Sequence, residues 1–166
     1  MSLVSWGRLP RMARGVAWLV VLSAVGACAE DPIGPQVRRL SAAEALWRAS
    51  SARDRYVISQ VRECFCITGG AVFTVTVVND TIVSVRNVTT GDDLPREQRE
   101  WFRTVDQLFG EIRRAVASPG TLRLVEYDVV RGIPTTVSLD PVLNAVDDEI
   151  VYRTAFVGAL GTGDVR

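Results

Sequence analysis

Two cysteines and a short acidic run are the first residues in this chain whose types and spacing could do chemistry. Cys64 and Cys66 stand two residues apart within Tyr56–Cys66, a stretch whose alternation reads as a strand, so both thiols face one side. In extended backbone an i, i+2 pair sets its Cα atoms about 6.5–7 Å apart, at the long edge of disulfide geometry. A bond there is strained unless the strand bends or bulges. Three states are open: a small structural staple, a redox-active pair, or thiols that stay reduced or pair between molecules. The spacing is not the CxxC of a thioredoxin-like helix N-terminus. A structural zinc site needs four ligands, and two cysteines without histidine fall short. Further on, Asp140, Asn144, Asp147, Asp148 and Glu149 gather oxygen ligands of the kind calcium prefers. Their order does not match an EF-hand loop, and a solvated connection before the last strand is the plainer reading. Three adjacent acids do not make an opposed acid/base pair.

Absences narrow the chemistry further. The chain has no histidine, and all 19 of its basic residues are arginine. Ser-His and Cys-His catalysis, histidine metal ligands, Schiff-base lysine and the P-loop lysine are therefore excluded. Arginine cannot serve as a base near neutral pH. From Cys28 onward 16 arginines stand against 19 acids, a net charge of −3. Nothing in that balance draws the domain to nucleic acid.

The third cysteine has a different context. Met1–Arg14 is a basic segment with three arginines and no acid, and Gly15–Val25 (GVAWLVVLSAV) is apolar but too short to span a bilayer. Val25-Gly26-Ala27-Cys28 follows and resembles a bacterial lipobox. The resemblance implies that residues 1–27 are a signal peptide removed on export and that Cys28 carries lipid. A thiolate is the best side-chain nucleophile for accepting a diacylglyceryl group, and a second acyl chain makes the attachment stable. The alternative is an ordinary signal peptide cut after Ala27, with Cys28 incidental. Residues 28–39 then read as a lipidated tether, polar and Pro/Gly-containing over Ala29–Gln36.

The elements that must position these residues follow from periodicity and punctuation. Leu40 to about Arg53 reads as a helix, with Ser41 and Glu44 as a capping box, Leu40 as a staple partner, and Ala43, Leu46, Trp47 and Ser50 on one face. After the Tyr56–Cys66 strand, Ala71–Val78 and Thr81–Val88 read as a hairpin around Asn79-Asp80. Arg96–Phe102 begins a helical turn. Thr104 and Gln107 form the capping box of a helix to Ala117, with an apolar stripe at Val105, Leu108, Phe109, Ile112 and Val116. Strands follow at Thr121–Tyr127, Thr135–Asp140 and Ile150–Val157. Between the first two of these, Asp128 caps a turn, Gly132 takes positive φ and Pro134 restarts extended chain. The expected fold is α+β: an antiparallel sheet with two helices packed on one face, in the order α-β-β-β-α-β-β-β over 40–157, then a flexible tail over 158–166. Trp47, Tyr56 and Phe109 read as core, and Trp101 and Phe102 as buried or as an exposed contact patch.

Taken in order, Trp47, Tyr56, Cys64-Phe65-Cys66, Tyr127-Asp128-x-x-x-Gly132-x-Pro134 and Asp147-Asp148-Glu149 after Asp140 form a pattern. It resembles domain-of-unknown-function family 6174, uncharacterised bacterial secreted proteins and lipoproteins, over roughly Ala45–Val157. The resemblance implies a single α+β domain outside the cytoplasm and brings no catalytic residues and no cofactor.

The sequence therefore leads to an exported lipoprotein, held on a membrane through Cys28 and facing outside the cytoplasm. The expected role is a non-enzymatic interaction or structural module of the cell envelope, with an exposed apolar or sheet-edge patch that captures an envelope protein. The alternatives are a thiol–disulfide redox module using Cys64 and Cys66, and a calcium-assisted binding domain using the acidic run. A hydrolase is disfavoured, because acids alone would have to carry its chemistry.

Overall fold

A computed structural model describes residues 34–142, 145 and 147–161. Cys28, the signal segment, Asn144 and the last five residues lie outside the described residues. Helix α1 spans Gly34–Arg48, and strands β1 (Arg55–Glu63), β2 (Val72–Val78) and β3 (Thr81–Asn87) follow. A 3₁₀ turn at Arg96–Trp101 leads into helix α2 (Val105–Ala117), then β4 (Leu122–Tyr127), β5 (Pro134–Leu139) and β6 (Ile150–Ala159). The six strands form one antiparallel sheet in the order β3-β2-β1-β6-β5-β4. The expected α+β class and element order are as observed.

Alternation decides the layers. Tyr56, Ile58 and Gln60 of β1, Phe73, Val75 and Val77 of β2, and Tyr152 and Thr154 of β6 are buried on one face. Leu40, Ala43 and Trp47 of α1 and Leu108, Phe109 and Ile112 of α2 close over that face in a single core. The other face is half-exposed valine, serine and threonine, such as Val57, Ser59, Thr74 and Thr76.

Local signals hold where they were strongest. Asn79 and Asp80 turn the β2–β3 hairpin at φ 49° and 55°. Thr104 accepts from the Gln107 N–H at 3.0 Å, and the Gln107 side chain accepts from the Thr104 N–H at 3.1 Å. Asp128 accepts from the N–H groups of Val130 (2.8 Å) and Arg131 (2.7 Å). Gly132 has φ +75°, and a Cβ there would lie 2.0 Å from the Ala43 carbonyl oxygen, so only glycine lets α1 seat on this turn.

Strand β6 runs past Val157 to Ala159, which pairs with Tyr56, so residues 158 and 159 belong to the sheet and not to the expected flexible tail. Two further elements differ from expectation. Helix α1 starts at Gly34 rather than Leu40 and stops at Arg48 rather than Arg53. Ser41 and Glu44 are therefore interior residues and form no cap. Buried Glu44 accepts from Arg48 at 2.6 Å and pairs with Arg113 of α2. The stop comes where Ser50 accepts from the Ala52 N–H at 3.3 Å, a local bond that competes with helix. The buried face is Leu40, Ala43, Glu44 and Trp47, while Leu46 is exposed. The second difference is β1, which ends at Glu63, so Cys64 and Cys66 sit in a turn and not in a strand.

The sheet edges are managed. Along β3 the following segment donates from Leu94 N–H to the Val85 carbonyl (2.8 Å), accepts from Asn87 N–H at Asp92 (2.8 Å), and places Arg99 Nη1 on the Val83 carbonyl (2.6 Å). Along β4 the register breaks at Leu122/Leu124 and again at Glu126/Tyr127. Such irregularities blunt an edge against further pairing.

Candidate functional site

Three places gather the residues that the sequence singled out or that the fold brings together. The first is the turn after β1. Once the strand stops at Glu63, the Cys66 N–H donates to the Cys64 carbonyl at 2.8 Å, and a disulfide joins the two side chains with Cα atoms 5.3 Å apart. The bend brings the pair inside bonding range, which straight extended backbone would not. Gly70 N–H donates back to the Arg62 carbonyl at 3.1 Å and closes the loop. A Cβ on Gly69 would stand 2.6 Å from the Cys64 carbonyl oxygen, so the turn requires glycine there. Thr68 is buried under the loop.

What this braced turn presents is apolar. Phe65 is 90% exposed and Ile67 98% exposed, the most exposed large hydrophobic side chains among the described residues. No charged residue occurs between Cys64 and Val72. Val88 lies alongside, its N–H on the Val72 carbonyl at 3.0 Å, and both valines are exposed. The flanking charges are Arg62, whose Nη1 lies 3.7 Å from the Cys66 sulfur, and the Arg153–Glu63 pair at 2.6 Å. Apart from the disulfide, the tip carries no group that does bond chemistry, and its apolar side chains can dock.

The second place is the acidic run. Asp140 is buried at the end of β5 and paired with Arg123, whose Nε donates at 3.1 Å. Asp148 accepts from the Val142 N–H at 2.8 Å, and Asp147 takes φ 69°. Glu149 is exposed. Among the described residues no group of three or more Asp, Glu, Cys or His side chains is placed to hold a metal ion. Asp140 and Asp148 each commit one carboxylate oxygen within the fold, and the other oxygen of each is buried without a hydrogen-bond partner among the described residues.

The third place was not singled out in the sequence. A cleft of about 550 Å³ opens between the 3₁₀ turn, α2 and the β2–β3 hairpin, and four arginines line it: Arg96, Arg99, Arg103 and Arg114. Glu111 ties two of them, with Arg103 Nε at 3.1 Å and Arg114 Nη2 at 2.9 Å. The spacing of Arg96, Arg99 and Arg103 was visible. The contributions of Arg114 and the hairpin come only from the fold.

The aromatics divide cleanly. Trp47, Tyr56, Phe102 and Phe109 are buried, and Trp101 packs half-buried against the core, so Trp101 and Phe102 form no contact patch. Phe102 meets Phe73 at 4.8 Å. The Tyr56 hydroxyl accepts from the Val105 N–H at 2.9 Å, and burial holds its proton well above the ordinary tyrosine range. Tyr127 is pushed up to about 12, by burial first and by the Glu44 carboxylate second.

Against known proteins, the sequence model of a family of unknown function (DUF6174) matches residues 39–158. The match covers most of the chain, and the chain belongs to that family. No curated protein and no solved structure matches it.

Proposed function

With membership of that family as the premise, we propose that the chain is an exported lipoprotein whose domain is a membrane-tethered, non-enzymatic interaction module of the cell envelope. Lipid on Cys28 is the tether, and the bridged turn at Cys64–Cys66 is the surface that docks on an envelope protein. The observation that carries this reading is the exposure of Phe65 (90%) and Ile67 (98%) on a turn held shut by a disulfide. Water penalises two such side chains, and burying both in a partner's pocket is worth about 3–6 kcal/mol gross. A preformed turn spends little of that on ordering. A sheet-edge mode has less support, because segment 87–99 seals β3 and register breaks interrupt β4.

The test is made in living cells. A photoreactive residue in place of Phe65 should give a covalent adduct with one discrete envelope protein. Adducts with lipid alone, or none, would overturn the docking role. Cys28→Ser should release the protein from the membrane fraction, and retention there would overturn the tether.

A thiol–disulfide redox module is the second reading, and Arg62 beside the Cys66 sulfur favours it, since a guanidinium stabilises a thiolate. A partner dithiol would give two electrons and two protons to open the bridge, itself closing to a disulfide. Cys64→Ser/Cys66→Ser with unchanged exchange of a model disulfide sinks this reading.

A further inference from the structure

The arginine cleft contains a residue that the fold itself does not need. Gly110 sits in the middle of α2 and lines the cleft. Glycine inside a helix is destabilising relative to alanine, so a mid-helix glycine calls for a reason of packing or approach. Packing supplies none here. A Cβ built on Gly110 would meet Arg114 Nη1 at 3.6 Å and Arg113 Nη2 at 3.9 Å, both ordinary contacts. Within 4 Å of that Cβ stand only these two guanidinium groups, the far ends of long side chains, so a ligand that draws them aside reaches the α2 backbone.

The charges around it say what could enter. Arg96 has no hydrogen-bond or ion-pair partner among the described residues. Arg99 uses Nη1 on the Val83 carbonyl and Nε on the Leu94 carbonyl, which leaves Nη2 uncommitted. Arg103 likewise spends Nε on Glu111 and Nη1 on the Glu100 and Phe102 carbonyls, keeping Nη2. Of the three acids lining the cleft, Glu111 is occupied by two arginines and Asp80 accepts from the Thr104 hydroxyl. Glu100 alone has no side-chain partner. The uncommitted donors therefore outnumber the uncommitted acceptors. Guanidinium forks suit planar or tetrahedral oxyanions, and a volume of about 550 Å³ suits a small molecule.

We propose that the cleft between the 3₁₀ turn and α2 binds a small polyanion through Arg96, Arg99 and Arg103, and that Gly110 lets this ligand lie against the α2 backbone. The ligand class is a compound with more than one carboxylate or phosphate group. The site is separate from the Cys64–Cys66 turn and stands or falls without it.

Isothermal titration of the protein purified from the cells that make it, in neutral detergent at constant ionic strength, tests it with citrate and separately with inorganic pyrophosphate. Saturable binding of at least one is expected. Citrate alone would mark a carboxylate ligand, and pyrophosphate alone a phosphate ligand. Arg96→Gln, which removes a side chain with no structural partner, should weaken binding about tenfold. Gly110→Ala should raise the melting temperature by about 4 °C and yet weaken binding about fivefold or more. A merely structural glycine would not give that opposed pair of changes. Absence of saturable binding by both anions, or undiminished binding by either variant, overturns the proposal.

Discussion

The two ends of β1 treat aromatic and apolar side chains in opposite ways. At the Tyr56 end everything is spent inward. Trp47 stands edge-on to Tyr56 with ring centroids 5.0 Å apart, Trp47 Nε1 donates to Asp106 at 3.2 Å, and the Tyr56 hydroxyl accepts from the first turn of α2. One cluster thereby fixes α1, α2 and the sheet together. At the Cys64 end a disulfide and a sterically required glycine hold a turn whose apolar side chains face water. The first end stabilises the fold. The second uses covalent and backbone constraints to keep Phe65 and Ile67 outside it, and folding gains nothing from that exposure. The difference separates what the molecule needs to be stable from what it keeps for a partner.

Breaking the buried end should cost most. Trp47→Ala removes a fully buried indole and is expected to lower stability by about 3–5 kcal/mol, read from the urea midpoint. Gln60→Leu comes next. Gln60 lies in the middle of β1, accepts from the Arg103 N–H (2.9 Å) and donates to the Arg103 carbonyl (3.1 Å) and the Thr154 hydroxyl (3.2 Å). Leucine keeps the volume but strands those groups, for a loss of about 2–3 kcal/mol.

Alkali should act on the same buried layer. Tyr56 and Tyr127 both hold their protons above the ordinary tyrosine value of 10 in the folded state. Below pH 10 folded and unfolded chains alike keep them, and the contribution is fully present. As pH rises through 10 the unfolded chain releases protons that the folded chain retains, so stability falls. A loss on the order of 2 kcal/mol from Tyr56 between pH 9 and pH 11.5 is expected, with a smaller share from half-buried Tyr127, which solvent screens. Tyr56→Phe should flatten that decline in urea titrations at the two pH values.

The exposed end should yield the smallest effect. Phe65→Ser/Ile67→Ser is expected to leave the melting temperature within the shift of about 0.5 kcal/mol. A large loss would mean that these side chains belong to the core, and the contrast between the two ends would collapse.

How much of this was legible follows from how local each signal is. The Thr104–Gln107 box, the Asn79-Asp80 turn and the Asp128–Gly132–Pro134 device each act within a few residues, and each was readable. Helix α1 was misplaced because Gly34-Pro35 resembles tether composition, while burial of Leu40, Ala43 and Trp47 decides the helix. The bend at Cys64 was readable only as a condition for the disulfide, since a two-residue period does not announce where a strand stops. The arginine cleft was invisible as a site because the fold assembles it from the β2–β3 hairpin, the 3₁₀ turn and α2.

The bridged turn is either a docking surface or only an exposed one. The most direct measurement compares photo-crosslinking in living cells from two exposed apolar positions, Ile67 on that turn and Val130 on the β4–β5 turn. A docking surface gives a discrete protein adduct from position 67 and none from position 130. Equal, diffuse labelling from both, or labelling from neither, would contradict the docking role.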